Sequence, residues 1–277
     1  MNNKITLIAF LLVLFIGCDK VEGPYYTSTG GKESTIEFPD LQPEDLYRRI
    51  LVEEYTGHRC ANCPEGHAML VELHDLFGDT LVMVGVHGSS LARPTDNYPY
   101  DFRTAVGDQL FTDFNIYAIP CANFNRTVSN VPVAGWINAI YDTDISQSYA
   151  AIQLINEYNS NNRNLEVNMK TTMLSDYEDE LQIAIYVIED DIIQPQLHGS
   201  DRIEDYVHKH VLRGSLNGTY GTRLTEDGFL EKDSAYARTY TMPLGEDWKA
   251  ESCTVIAILS NEKTKEVIQV RAGKIVK

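Results

Sequence analysis

Cys60-Ala61-Asn62-Cys63 lies where a β-rich run ends and a helical pattern begins, and this junction restricts the fold more than any other feature of the chain. Arg49 to Tyr55 forms the run, and Thr56-Gly57-His58-Arg59 breaks it. Pro64 follows the second cysteine, where proline suits the first turn of a helix. Met69, Leu70, Leu73, Leu76 and Phe77 then recur at helical spacing up to Gly78, a C-terminal stop. Near a helix N-terminus, unpaired N–H groups and the positive dipole end favour thiolate over thiol. Cys60 is therefore the expected nucleophile and Cys63 the resolving thiol, with His58 and Arg59 adding positive potential.

Thr80 to His87 reads as a buried strand, and Arg103 to Phe114 as a second amphipathic helix. Ile119-Pro120-Cys121 follows. The order strand, C-x-x-C helix, strand, helix and X-Pro resembles the thioredoxin fold. In that family the proline is cis and faces the cysteine pair, so the resemblance makes Ile119–Pro120 the candidate cis bond and Pro120 a positioning residue. It also implies a buried proton-carrying acid on the strand before the pair. Glu54 fits by distance to Cys60, but Glu53 shares its strand face with Tyr55, as the family's acid and aromatic do, and Glu53 is taken for the role. Arg59 replaces the aromatic usual before the first cysteine, which removes a hydrophobic substrate platform. Cys121 is either an accessory thiol or a small buried hydrophobe, and Cys253 is read as core.

At the N-terminus, Lys4 precedes an apolar stretch from Ile5 to Ile16, the pattern of a signal peptide over residues 1–17. The stretch falls short of the ~20 residues needed to span a bilayer. Gly17-Cys18 resembles a bacterial lipobox, with Phe15 where Leu is usual, so Cys18 is the expected acylated N-terminus; an ordinary signal peptide is the alternative. Residues 18–42 are expected to be lipidated N-terminus and tether, with no apolar periodicity from Val21 to about Leu41. Asp19 resembles an inner-membrane retention signal of some Gram-negative bacteria, which leaves the choice of membrane open. The expected partners are the membrane, through Cys18, and exported thiol proteins or other envelope proteins. A net charge of −17 excludes general nucleic-acid binding.

The domain boundary is expected near Ser146, giving units at 43–146 and 147–277. Ala150 to Tyr158 is helical by composition, but the 159–164 turn cluster and the alternation from Leu165 to Met173 make a hairpin. Further strands are expected at Leu181 to Ile188, Tyr206 to Leu212, Ala235 to Met242, Cys253 to Leu259 and Val267 to Val276. The fold expected is α/β plus all-β: a thioredoxin-like domain followed by an antiparallel, immunoglobulin-like β-sandwich. No strand is visible in Val128 to Pro132, and His208 and His210 read as surface or family-structural residues.

Glu53-Glu54-Tyr55-Thr56-Gly57, Ile119-Pro120 leading to Asn125-Arg126, and Tyr206 to Arg213 together resemble the outer-membrane-protein-28-related lipoproteins of Gram-negative anaerobes. The resemblance implies the same two domains at the outer membrane. Two functions follow: thiol–disulfide exchange on exported proteins, or a non-catalytic surface lipoprotein in which Cys60 and Cys63 form a permanent disulfide. A zinc reading through Cys60, Cys63, His67 and His58 or His87 is the weakest, because the compartment is oxidising, and neither metal nor cofactor is expected.

Overall fold

The computed structural model describes residues 31–225 and 228–276; the expected signal peptide, Cys18 and Asp19 lie outside them. The first half contains β1 (Lys32–Glu33), β2 (Ile50–Thr56), α1 (Cys63–Phe77), β3 (Leu81–His87), α2 (Ala105–Asp113), β4 (Cys121–Phe124), β5 (Val128–Pro132) and α3 (Trp136–Asp142). β2 runs parallel to β3, from Ile50 opposite Leu81 to Thr56 opposite His87, and antiparallel to β4. β2 and β3 are buried on both faces, which is why each reads as a nearly continuous apolar run. The period of two sends Ile50 and Val52 to a core with Leu70 and Leu73 of α1 and Trp136 and Ile140 of α3. It sends Leu51 and Tyr55 to the opposite core, with Val106 and Leu110 of α2.

The second half continues with β6 (Ala150–Asn159), β7 (Asn164–Met173), β8 (Leu181–Glu189), β9 (Ile192–Ile193), β10 (Gln196–His198), β11 (Asp201–Ile203), β12 (Val207–His208), β13 (Val211–Ser215), β14 (Thr222–Arg223), β15 (Ala235–Pro243), β16 (Cys253–Asn261) and β17 (Val267–Lys274). The boundary expected at Ser146 falls between α3 and β6. β6 and β7 form the expected hairpin, in a four-stranded sheet ordered β1-β15-β7-β6. Its inner face packs through Ile152, Val167 and Tyr240 on Ile183, Ile185, Val255 and Leu259 of β8 and β16. Cys253 is a buried thiol in that core.

The two halves share one sheet, ordered β17-β16-β8-β13-β3-β2-β4-β5, with β14 beside β8. The join is a parallel pairing of β13 with β3 at Val211 and Gly85, where the Gly85 N–H donates to His210 O at 2.7 Å. The core beneath α2 also runs on into Tyr186, Ile188 and Ile256 of the second half. The fold is thus mixed α/β and mostly sheet.

Two expectations are corrected. Val128–Pro132 is a strand after all: it is an exposed edge with a register shift and Asn130 at φ 57°, so it lacks buried alternation. The tether does not extend to Leu41, because β1 adds to the open edge of β15 and Gln153 donates to Pro39 O at 2.9 Å.

A buried ion pair crosses the shared sheet. Arg126, in the β4–β5 turn, grips Glu53 through Nη2 at 2.7 Å and Nε at 3.1 Å, both side chains fully buried. Arg126 Nη2 also donates to Tyr186 Oη of β8 at 3.3 Å, tying β2, the turn and the second half together. Removing one partner of such a pair leaves a buried charge uncompensated. Arg126→Ala is expected to lose about 3–5 kcal/mol of unfolding free energy, and a Glu53→Gln/Arg126→Met double variant markedly less. Urea unfolding checks this; a loss below about 1 kcal/mol in Arg126→Ala would contradict the role given to the pair.

Candidate functional site

β2 ends at Thr56, and the loop from Gly57 to Asn62 carries the chain into α1, whose first residue is Cys63. Cys60 and Cys63 form a disulfide with Cα atoms 5.4 Å apart. Cys60 Sγ lies 3.8 Å from Ile119 O, and the Ile119–Pro120 bond is cis. Gly66 allows this close assembly, since a Cβ there would lie 3.1 Å from Pro120 Cβ and 3.0 Å from Glu54 Oε1.

The acid on this side of the sheet is Glu54, not Glu53. Adjacent residues of a strand point to opposite faces, so Glu53 turns with Tyr55 away from α1, and Arg126 binds it there. Glu54 turns toward α1 and lines a cavity of about 20 Å³ together with Cys63, His67, Tyr206 and His208. Its side chain is buried, the residue being 3% exposed, and Oε1 has no hydrogen-bond partner. Burial pushes its carboxyl up to about 8, so it is largely protonated at neutral pH.

The other candidates fare differently. Cys121 pairs with Tyr55 and packs in the core beneath α2. Burial, and then the nearby Glu54, push its thiol up to about 11, which makes it a poor relay. His58 adds no positive potential: it packs among Tyr98 and Phe102, and burial lowers it to about 4. Arg59 stays beside the pair, donating to Ser90 O at 3.3 Å. His208 is buried, not a surface residue, and lines the cavity; burial lowers it to about 3. His67 and His87 are lowered for the same reason, His67 to about 4. Among the described residues, no group of three or more His, Cys, Asp and Glu is arranged to hold a metal ion.

Sequence reasoning missed the hairpin that is bound to the C-x-x-C loop. The hairpin of β10 and β11 lies on the C-x-x-C loop: Leu197 N–H donates to His58 O at 2.8 Å and Gly199 N–H to Ala61 O at 2.9 Å. Gln196 Nε2 donates to Cys60 O at 3.1 Å. Cys60 and Cys63 are only 4% and 2% exposed. The one local signal was Gly199-Ser200, a two-residue turn with Gly199 at φ 60°.

A family model described as outer membrane protein Omp28 matches residues 107–277, more than half of the chain, and the chain belongs to that family. Its place is the cell envelope, at the outer membrane. Among solved structures, HBP35 of Porphyromonas gingivalis is similar over 84% of this chain and 76% of its own, with 14% identity and a TM-score of 0.65. A protein from Agrobacterium tumefaciens is similar over 82% of this chain and 95% of its own, with 12% identity and a TM-score of 0.50. At these identities the likeness is one of fold. A domain of the outer membrane lipoprotein Omp28 from Porphyromonas gingivalis shares 22% identity over 48% of this chain and 93% of its own, with a TM-score of 0.33. Comparison with curated proteins gave no match. Among the described residues no helix is long and apolar enough to cross a membrane.

The raised Glu54 carboxyl makes stability depend on pH. The folded state keeps this proton up to about pH 8, whereas an unfolded glutamate releases it near 4.5, so the contribution is complete below 4.5 and is lost as pH rises through 8. The lowered histidines act in the opposite sense, but only below about pH 6.5, where the unfolded state takes up their protons first. Between pH 6.5 and 8 the wild-type chain is expected to lose on the order of 2 kcal/mol through Glu54. Glu54→Gln should flatten that window in a series of urea titrations, and an equal slope in both proteins would contradict the assignment.

Proposed function

We propose that this Omp28-family chain is an envelope lipoprotein that exchanges disulfides with exported thiol proteins, anchored through an acylated Cys18. In this reading residues 43–146 are a thioredoxin-like unit and residues 147–277 an immunoglobulin-like β-sandwich. The observation that carries it is the unpartnered, largely protonated Glu54 carboxyl in the cavity that Cys63 lines. A burial this costly has a use where a leaving thiolate needs a proton.

A substrate thiolate attacks Cys60 Sγ, the Cys60–Cys63 bond breaks, and Cys63 leaves as a thiolate that takes the proton of Glu54. A second substrate thiolate then attacks the substrate sulfur of the mixed disulfide and releases Cys60 as a thiolate. The substrate loses two electrons and gains a disulfide; the cysteine pair gains two electrons, and Glu54 regains its proton from solvent. The reverse sequence reduces a substrate disulfide, with Glu54 accepting the proton of Cys63. Pro120, beside Cys60, positions the partner backbone. Sulfur carries both electrons, so the reaction calls for no cofactor.

The burial of Cys60 favours a second reading, a non-catalytic binding lipoprotein with a permanent disulfide. Trapping separates the two. Cys63→Ser, reacted with a disulfide-bonded peptide, is expected to accumulate a mixed disulfide at Cys60, identified by peptide mass spectrometry. Glu54→Gln should slow full exchange about a hundredfold at pH 7 and remove the pH dependence around 8. No mixed disulfide, with Glu54→Gln as fast as wild type, would favour the permanent disulfide.

A further inference from the structure

We propose that the β10–β11 hairpin is a hinged cap whose opening governs when the Cys60–Cys63 pair can exchange. The inference rests on the exchange reading of the same site and adds its regulation. Attack on a disulfide requires a thiolate to reach sulfur along the S–S axis, and a pair only 4% and 2% exposed leaves little room for that approach. The hairpin lies against the C-x-x-C loop, held there by the Leu197 and Gly199 backbone bonds and by the Gln196 side chain.

The hold is polar and shallow. Of the six strand residues in the hairpin only Gln196 is buried; Leu197 is half-buried, and His198, Asp201, Arg202 and Ile203 are exposed. A two-stranded hairpin without a packed face is marginal by itself, and segments with few apolar contacts open at a small fraction of the global cost. Its base is fixed separately. Gln194 N–H donates to Tyr206 O at 3.1 Å, β9 pairs with β12, and the His208 ring meets Gln194 O at 3.2 Å. Opening therefore swings residues 196–203 about a base that stays in place, baring Cys60 while the cavity side chains Tyr206 and His208 remain. Arg202 steadies the closed tip from outside, its Nε donating to Asn97 O at 2.8 Å and its guanidinium lying over the Tyr98 ring at 5.4 Å. A bound polypeptide that competes for the His58 and Ala61 carbonyls would hold the cap open, so that partner binding itself admits the reacting thiol.

The test compares the full chain with Leu197→Pro, which deletes the donor to His58 O, and Gln196→Ala, which deletes the side-chain bond to Cys60 O. The readout is the rate at which dithiothreitol reduces the disulfide, followed by alkylation. Both variants are expected to react at least tenfold faster than wild type. Hydrogen exchange on the wild-type chain gives a second readout that needs no substitution. The Leu197 and Gly199 amides should exchange well before those of Ile256 and Ile258 in β16. Variants that react at the wild-type rate, or cap amides as protected as β16, would overturn the cap. The cap is judged on these rates, and the exchange reading on the equilibrium with a cysteine peptide. Faster variants whose pair stays fully oxidised against that peptide would keep the cap and remove the exchange reading.

Discussion

The pairing of β13 against β3 at Gly85 is the contact on which the rest of the molecule depends. A side chain at position 85 would meet the carbonyl oxygens of His210 and Lys209 at 3.3 and 3.4 Å, so glycine eases the approach of the second half by a few tenths of an ångström. Once the pairing forms, a single sheet runs from β17 to β5, and the core beneath α2 extends across both halves. The buried Glu53–Arg126 pair, with Tyr186 of β8 beside it, then fixes the opposite face of β2. The two halves of the chain share backbone hydrogen bonds as well as packing.

The same pairing makes the cysteine site composite. The segment leading into β13 supplies Tyr206 and His208 to the cavity beside Glu54 and Cys63, and the hairpin before it is hydrogen-bonded to the C-x-x-C loop. Burial raises the Glu54 carboxyl to about 8, so it is largely protonated at neutral pH. The chain thus holds a proton beside Cys63 at the expense of stability above neutral pH. His67, His87 and His208, which line the cavity and are lowered by burial, bear the opposite cost in acid.

What could be read from the sequence follows the range of the forces involved. The strand-to-helix junction, the α2 pattern, the β6–β7 hairpin and the cis peptide before Cys121 rest on local periodicity, turn chemistry or a family pattern, and the structure has all four. The choice between Glu53 and Glu54 was not local. Both faces of β2 are buried, so alternation alone cannot say which face α1 takes, and the answer lies with Arg126, 73 residues away. β5 escaped notice because an exposed edge strand needs no alternation. The cap escaped because its bonds join carbonyls near residue 60 to amides near residue 198, and such backbone pairings leave no trace in side-chain pattern.

The reduction potential of the Cys60–Cys63 couple in the full-length chain tests the central claim most directly, with each redox state read by differential alkylation and mass spectrometry. A site built for exchange should titrate between about −120 and −270 mV, the range of exchange-active dithiols. A midpoint below about −300 mV would mark a structural disulfide and contradict the account.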